Sequence, residues 1–217
     1  MTRIKICGIR DKTHALAVVE AGADFIGLVF APSQRQVSPA QAREIASAVK
    51  KSSDATKVVG VFVNAPSPQV NEFADFCALD WVQLSGDESW EYCRKVVRPV
   101  IKAIRIDQQS PEELYAELSA GSKSLPAQGF ITLLDSRVEG KYGGTGKSFD
   151  WTLVQQVTKR FPVIVAGGLD PKNVTRLIER VAPWGVDVSS GVETGGVKDI
   201  AKIKAFIEAV RKADERR

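Results

Sequence analysis

Cys7 and Asp135 are the residues best placed in this sequence to move protons. Cys7 closes the first apolar run, "RIKIC", with Gly8 immediately behind it, and Asp135 closes a later run, "FITLLD". The only histidine, His14, falls in an amphipathic stretch away from any strand end. Acid–base work therefore passes to Cys, Asp, Glu, Lys or Tyr. A thiolate is the basic form of cysteine, and a neighbouring cation favours it. By strand alternation Lys5 shares a face with Cys7, as Ile131 and Leu133 do with Asp135. The pattern leaves open whether Lys5 is that cation. Cys77 and Cys93 sit among apolar neighbours inside helical patterns, where cysteine packs as a small hydrophobe. For Asp135 two readings stand side by side, a proton donor or a carboxylate that caps the following loop.

Other residues suggest anion binding. "AGGLDPKN" and "VSSGVETGG" carry Gly167, Gly168, Ser189, Ser190 and Gly191. Glycines admit close backbone approach to an anion, and a following helix N-terminus adds its dipole. Either segment alone is an ordinary turn, but two of them after neighbouring strands favour a phosphate. "GGTGKS" resembles a nucleotide-binding loop only in part, because that motif needs glycine at position 141, where this chain has lysine. Arg35, in "APSQRQ", is either a solvated loop residue or a planar fork for a carboxylate. Gln83 and Ser85, in "VQLSGD", close another apolar run, and Asp187 stands just before the serine pair.

These residues need a scaffold that gathers strand ends. β-rich runs are expected at Arg3–Cys7, Asp24–Phe30, Lys57–Val63, Leu79–Leu84, Val100–Arg105, Gly129–Asp135, Pro162–Ala166 and Gly185–Ser189. Helical patterns alternate with them, including "SPAQAREIASAVK", "DESWEYCRKVV", "DPKNVTRLIERVA" and "VKDIAKIKAFIEAVRKA". Ser38-Pro39, Ser110-Pro111 and Asp170-Pro171 each place a capping side chain before a proline at the first helical position. Strict alternation implies parallel strands with crossover helices. Count and length favour a closed (β/α)8 barrel over an open doubly wound sheet, with the chemistry at the C-terminal strand ends. No linker interrupts the pattern, so residues 1–217 read as a single domain. The loosest stretch is Ser119–Gln128.

Composition sets the outer bounds. The 217 residues are 44% hydrophobic and 26% charged, with a net charge of +4 and scattered basic residues. That favours small anionic ligands and gives no footprint for nucleic acid. No apolar run has membrane-spanning length, and the N-terminal residues lack a signal-peptide core, so a cytoplasmic protein without a membrane partner is expected. Three cysteines without a C-x-x-C spacing form neither a disulfide framework nor a zinc site.

Taken in order, "KICGIRD", "GADFIGLVFAPSQRQVSP", "VGVFVN", "WVQLSGDE", "LLDS", "GGTGKSFDW", "AGGLDPKNV" and "VDVSSGVE" resemble the phosphoribosylanthranilate isomerase family. The resemblance implies an aldose-to-ketose (Amadori) rearrangement in tryptophan synthesis, with no cofactor and no metal. It implies Cys7 as general base and Asp135 as general acid. Arg35 would bind the anthranilate carboxylate, with Gln83 and Asp187 on the substrate. Gly167, Gly168, Ser189, Ser190 and Gly191 would hold the phosphate. Gly8 would leave room for substrate beside the thiol. The family often has histidine where this chain has Ser85. The oligomeric state is left between monomer and homodimer. Two rivals remain: another phosphosugar barrel isomerase, whose histidine-pathway form carries aspartate at the position of Cys7, and a noncatalytic phosphosugar-binding barrel.

Overall fold

Eight short runs rich in Val, Ile, Leu and Phe pair in parallel and close into a barrel. The computed structural model describes residues 1–106, 110–125, 129–135 and 151–217. The strands are β1 (Arg3–Cys7), β2 (Phe25–Val29), β3 (Lys57–Phe62), β4 (Trp81–Leu84), β5 (Val100–Arg105), β6 (Phe130–Asp135), β7 (Val163–Ala166) and β8 (Gly185–Val188). The helices between and after them are α1 (Lys12–Glu20), α2 (Pro39–Ser52), α3 (Ser67–Phe76), α4 (Trp90–Cys93), α5 (Pro111–Ser124), α6 (Trp151–Thr158), α7 (Val174–Val181) and α8 (Ile200–Glu215). This is the (β/α)8 architecture, with the strands in sequence order around the ring.

Alternation divides each strand between two environments. Outward residues such as Ile4, Ile6, Ile26, Val58 and Val186 join the buried layer beneath the helices. Inward residues Phe25, Val59, Ile101, Ile131, Leu133, Ile164 and Ala166 form a second, smaller apolar cluster. Phe25 meets Trp81 edge-on at 6.1 Å and Trp184 at 6.0 Å, plugging the end where the strands begin. Closure sets Lys5 opposite Phe25 on one side and Asp187 on the other. The polar residues are thereby left to the end where the strands stop.

Local signals account for most helix starts. Ser38 accepts from the Gln41 amide, and Ser110 forms a reciprocal capping box with Glu113, as the Ser-Pro pairs imply. Other expectations need correction. Asp170 accepts from the Lys172 and Asn173 amides, so Pro171 opens a turn and α7 starts only at Val174. α4 is a single turn, because Val97 donates its amide to the Asn71 side chain and Pro99 then disfavours helix in the residue before it. Of the stretch expected to be loosest, residues 119–124 continue α5, and residues 126–128 lie outside the described residues. Gly121 in that helix makes room for the Trp90 ring, which a Cβ there would meet at 2.6 Å. Residues 197–198, expected to open the last helix, instead form β10 (Val197–Lys198), a two-residue strand antiparallel to β9 (Glu193–Thr194). The helix then starts beyond Asp199, whose carboxylate accepts from the Ala201 and Lys202 amides.

Candidate active site

The thiol of Cys7 lies at the inner end of β1, in a residue that is 8% exposed. Beneath it on the same face, the Lys5 ammonium pairs with the Asp187 carboxylate at 3.0 Å. Both groups overlook Gly27, where a Cβ would fall 2.8 Å from the Cys7 sulfur and 3.1 Å from the Lys5 nitrogen. A side chain at position 27 would therefore push into the pair. Lys5 is the neighbouring cation that the sequence left open.

Burial alone would lower the Lys5 pKa, but the Asp187 carboxylate, and after it Cys7, outweigh burial and raise it. Lys5 is accordingly a cation. Burial pushes the Cys7 thiol up, Lys5 pulls it down, Asp187 pushes it up again, and Lys198 pulls it down. The balance is upward: without a ligand the sulfur favours its proton, although two cations work against burial.

Asp135 ends β6 on the same inward face as Ile131 and Leu133 and is half-buried. Its backbone pairs with Arg105 of β5 and Ala166 of β7. Cys7 and Asp135 thus stand at the same end of the barrel, separated around the ring by β7 and β8. Gln83, on β4, is 5% exposed and donates to the Ser85 hydroxyl at 3.0 Å. Its side-chain oxygen has no hydrogen-bond partner among the described residues.

The two glycine and serine segments come together. Gly167 and Gly168 follow β7 at φ +99° and +63°, the left-handed half of backbone space that glycine enters without strain. Gly191 packs so closely on the Leu169 carbonyl that no side chain fits there. Ser190 and Gly191 belong to a single 3-10 turn. Ser189 does not present a free hydroxyl, because its Oγ donates to the Cys7 carbonyl at 3.1 Å. The "GGTGKS" segment lies outside the described residues.

One other expectation changes on contact with the geometry. The space beside Gly8 is filled by Arg35, whose Cδ would lie 2.5 Å from a Cβ at that position. Glycine is required there, at φ +80°, to let the arginine stem cross the turn. Arg35 itself donates through Nε and Nη2 to the two oxygens of Glu193, each at 2.7 Å. Lys198 donates to Glu193 Oε1 at 2.6 Å and to the Ser189 carbonyl at 2.9 Å. Sequence reasoning missed Glu193 and Lys198. No local signal marks them, since Arg35 and Glu193 are 158 residues apart.

A further buried ion pair lies on the outer side of the barrel wall, since Lys102 alternates with the inward Ile101 and Ala103. Lys102, on β5, meets Glu88 at 3.1 Å, with side chains 7% and 2% exposed. Glu88 also accepts from the amides of Asn64 and Gly86, at 2.7 and 2.9 Å. One carboxylate thereby joins the turns that follow β3 and β4. Among the described residues no helix is long and apolar enough to cross a membrane.

Comparison with known proteins gives one consistent result. Residues 4–209 match the family model described as N-(5'phosphoribosyl)anthranilate (PRA) isomerase. The chain is similar to the N-(5'-phosphoribosyl)anthranilate isomerase of Dehalococcoides mccartyi, at 48% identity over 100% of this chain and 99% of that one. It is also similar to the crystal structure of phosphoribosyl anthranilate isomerase from Thermotoga maritima, at 40% identity and a TM-score of 0.84. That match covers 98% of this chain and 100% of the other. The chain is similar, too, to a crystal structure of phosphoribosyl anthranilate isomerase in complex with reduced 1-(o-carboxyphenylamino)-1-deoxyribulose 5-phosphate. It matches at 37% identity and a TM-score of 0.81, over 98% of this chain and 100% of that one.

Proposed function

From the premise that this chain belongs to the N-(5'-phosphoribosyl)anthranilate isomerase family, an isomerase of tryptophan biosynthesis, we propose that Cys7 and Asp135 carry its reaction as base and acid. The substrate is N-(5'-phosphoribosyl)anthranilate and the product is 1-(o-carboxyphenylamino)-1-deoxyribulose 5-phosphate. Asp135, in its carboxylic acid form, protonates the ring oxygen as the C1'–O bond breaks, and the anthranilate nitrogen closes a protonated Schiff base at C1'. That iminium acidifies the C2' hydrogen. Cys7, as thiolate, removes it, giving an enolamine. Delivery of the proton held by Cys7 to C1' and uptake of the enol proton by the Asp135 carboxylate then yield the 2'-ketone and restore the thiolate and the carboxylic acid.

Lys5 serves this chemistry by favouring the thiolate at the moment the base is needed, while Asp187 keeps Lys5 charged. Gln83 offers its buried side-chain oxygen to a substrate hydroxyl or N–H, because a buried acceptor without a partner costs free energy that a ligand donor recovers. Arg35 faces the anthranilate carboxylate, and the amides around Gly167, Gly168, Ser189, Ser190 and Gly191 take the phosphate. The observation that carries the reading is the Cys7 thiol seated above the Lys5–Asp187 pair at the end of β1. A structural cysteine has no need of a buried lysine on its own face.

The test is turnover by wild type and Cys7→Ala, with phosphoribosylanthranilate generated in place and its fluorescence followed. Cys7→Ala should lose at least the 10²- to 10⁴-fold typical of a general base, roughly, while still binding a product analogue. Near-normal turnover by the folded variant would remove Cys7 from the mechanism. Absence of turnover by the wild type above the spontaneous background would sink the whole reading.

A further inference from the structure

The guanidinium of Arg35 is held by a partner that the chemistry above does not use. Glu193 grips it with both oxygens along the Nε–Nη2 edge, and the carboxylate side chain is only 6% exposed. A two-point contact of this kind fixes the plane of the guanidinium as well as its position. Glu193 is itself held from several directions. Lys198, 4% exposed at its side chain, donates to Oε1. Lys202 donates to the Glu193 carbonyl at 2.7 Å, and the backbone pairs with Lys198 across the β9–β10 hairpin. Thr194 donates to Asp199 at 2.8 Å, closing the hairpin onto the start of α8.

We propose that Glu193 is a positioning residue for substrate recognition: with Lys198 behind it, it aims Arg35 across the mouth of the barrel, and the preference for a carboxylated aromatic amine depends on that aim. The proposal rests on the reading of Arg35 as the carboxylate-binding residue. The arginine comes from the loop after β2, yet its stem lies over Gly8 at the end of β1 and its head is fixed by a hairpin beyond β8. A long side chain on a loop otherwise spreads over many rotamers, and a bound carboxylate would have to order it at the cost of affinity. Here the ordering is done before substrate arrives. Lys198 extends the same network toward the phosphate side, since it donates to the Ser189 carbonyl while Ser189 Oγ donates to the carbonyl of Cys7. Both cations share one carboxylate, which holds Glu193 down to about 2 even though burial pushes the other way. At neutral pH Glu193 is fully ionised.

The opposite role is also conceivable chemically, with Glu193 occupying Arg35 as a rival to the substrate carboxylate. The two roles predict opposite signs. The experiment measures inhibition by two ligands, a reduced product analogue bearing the ortho-carboxylate and the same analogue with hydrogen in its place. They are compared on wild type, Arg35→Met and Glu193→Gln, with melting temperatures as a check on folding. A positioning role predicts that Glu193→Gln weakens the carboxylated ligand about tenfold or more, barely changes the other, and raises KM by a larger factor than it lowers kcat. If Glu193→Gln does not fold, Glu193→Asp, which keeps the charge but shortens the reach, must show the same carboxylate-selective loss. Equal loss of both ligands, no loss, or tighter binding of the carboxylated ligand while Arg35→Met remains selective would overturn the proposal and leave Arg35 in place. Absence of selectivity in Arg35→Met would overturn the reading of Arg35, and the proposal with it.

Discussion

The ammonium of Lys5 stands 3.0 Å from the carboxylate of Asp187, with 1% and 10% of the two side chains exposed. An ion pair so far from water is costly to form and costlier to break, because removing one member strands a buried charge. It lies directly beneath Cys7, where the Lys5 charge pulls the thiol down, although burial keeps the overall balance upward.

That relationship predicts the pH dependence of the base. Burial leads the influences on Cys7, and its pKa is raised above the ordinary thiol value. With the thiolate as the proposed base, kcat/KM should climb with pH into the alkaline range, as should the rate of Cys7 alkylation in the free protein. Lys5→Met, combined with Asp187→Asn so that no lone charge is buried, should move both profiles further up. Profiles unchanged in the double variant would show that Lys5 does not act on the sulfur.

Asp135→Asn separates a proton donor from a capping carboxylate. The amide keeps the shape and still accepts hydrogen bonds, but it cannot release a proton to the ring oxygen. Turnover should fall by roughly the 10²- to 10⁴-fold typical of a general acid, with melting little changed. A drop in melting temperature with the rate intact would return Asp135 to a structural role.

Acid stability should register Glu193. Its folded pKa is lowered from 4.5 to about 2, so its ionisation stabilises the fold fully above 4.5, and that contribution is lost as pH falls toward 2. Urea unfolding across that window should therefore show a steeper loss of stability in the wild type than in Glu193→Gln. Parallel curves would mean that the clamp contributes nothing to folding free energy.

The Lys102–Glu88 pair offers a test of how the turns after β3 and β4 are tied together. Lys102→Met leaves a 2%-exposed carboxylate without its cation, and breaking such a pair costs about 3–5 kcal/mol. Denaturant unfolding should show that loss. Lys102→Met with Glu88→Gln should recover part of it, because no charge is then left buried and the one glutamine oxygen can still accept from either the Asn64 or the Gly86 amide, though not from both. A double variant no more stable than the single would place the cost in lost packing of the lysine stem.

Much of this molecule is local in origin, and that part is legible in its sequence. Apolar runs of strand length alternate with capped amphipathic helices, and strand alternation alone puts Lys5 under Cys7 and Asp135 above Leu133. Where local rules compete, the reading slips. Pro171 opens a turn because the Asp170 carboxylate takes the Lys172 and Asn173 amides, and α4 stops after one turn because Asn71 claims the amide of Val97.

The electrostatics of the site belong to the tertiary structure. Lys5 meets Asp187 across 182 residues of sequence only because β8 closes the ring against β1. Arg35 meets Glu193 only because a hairpin beyond that last strand folds back over the mouth. Residue types and spacing select the groups that can carry charge. Which charge faces which, and how far from water, depends on distance and burial, and in this protein barrel closure sets both.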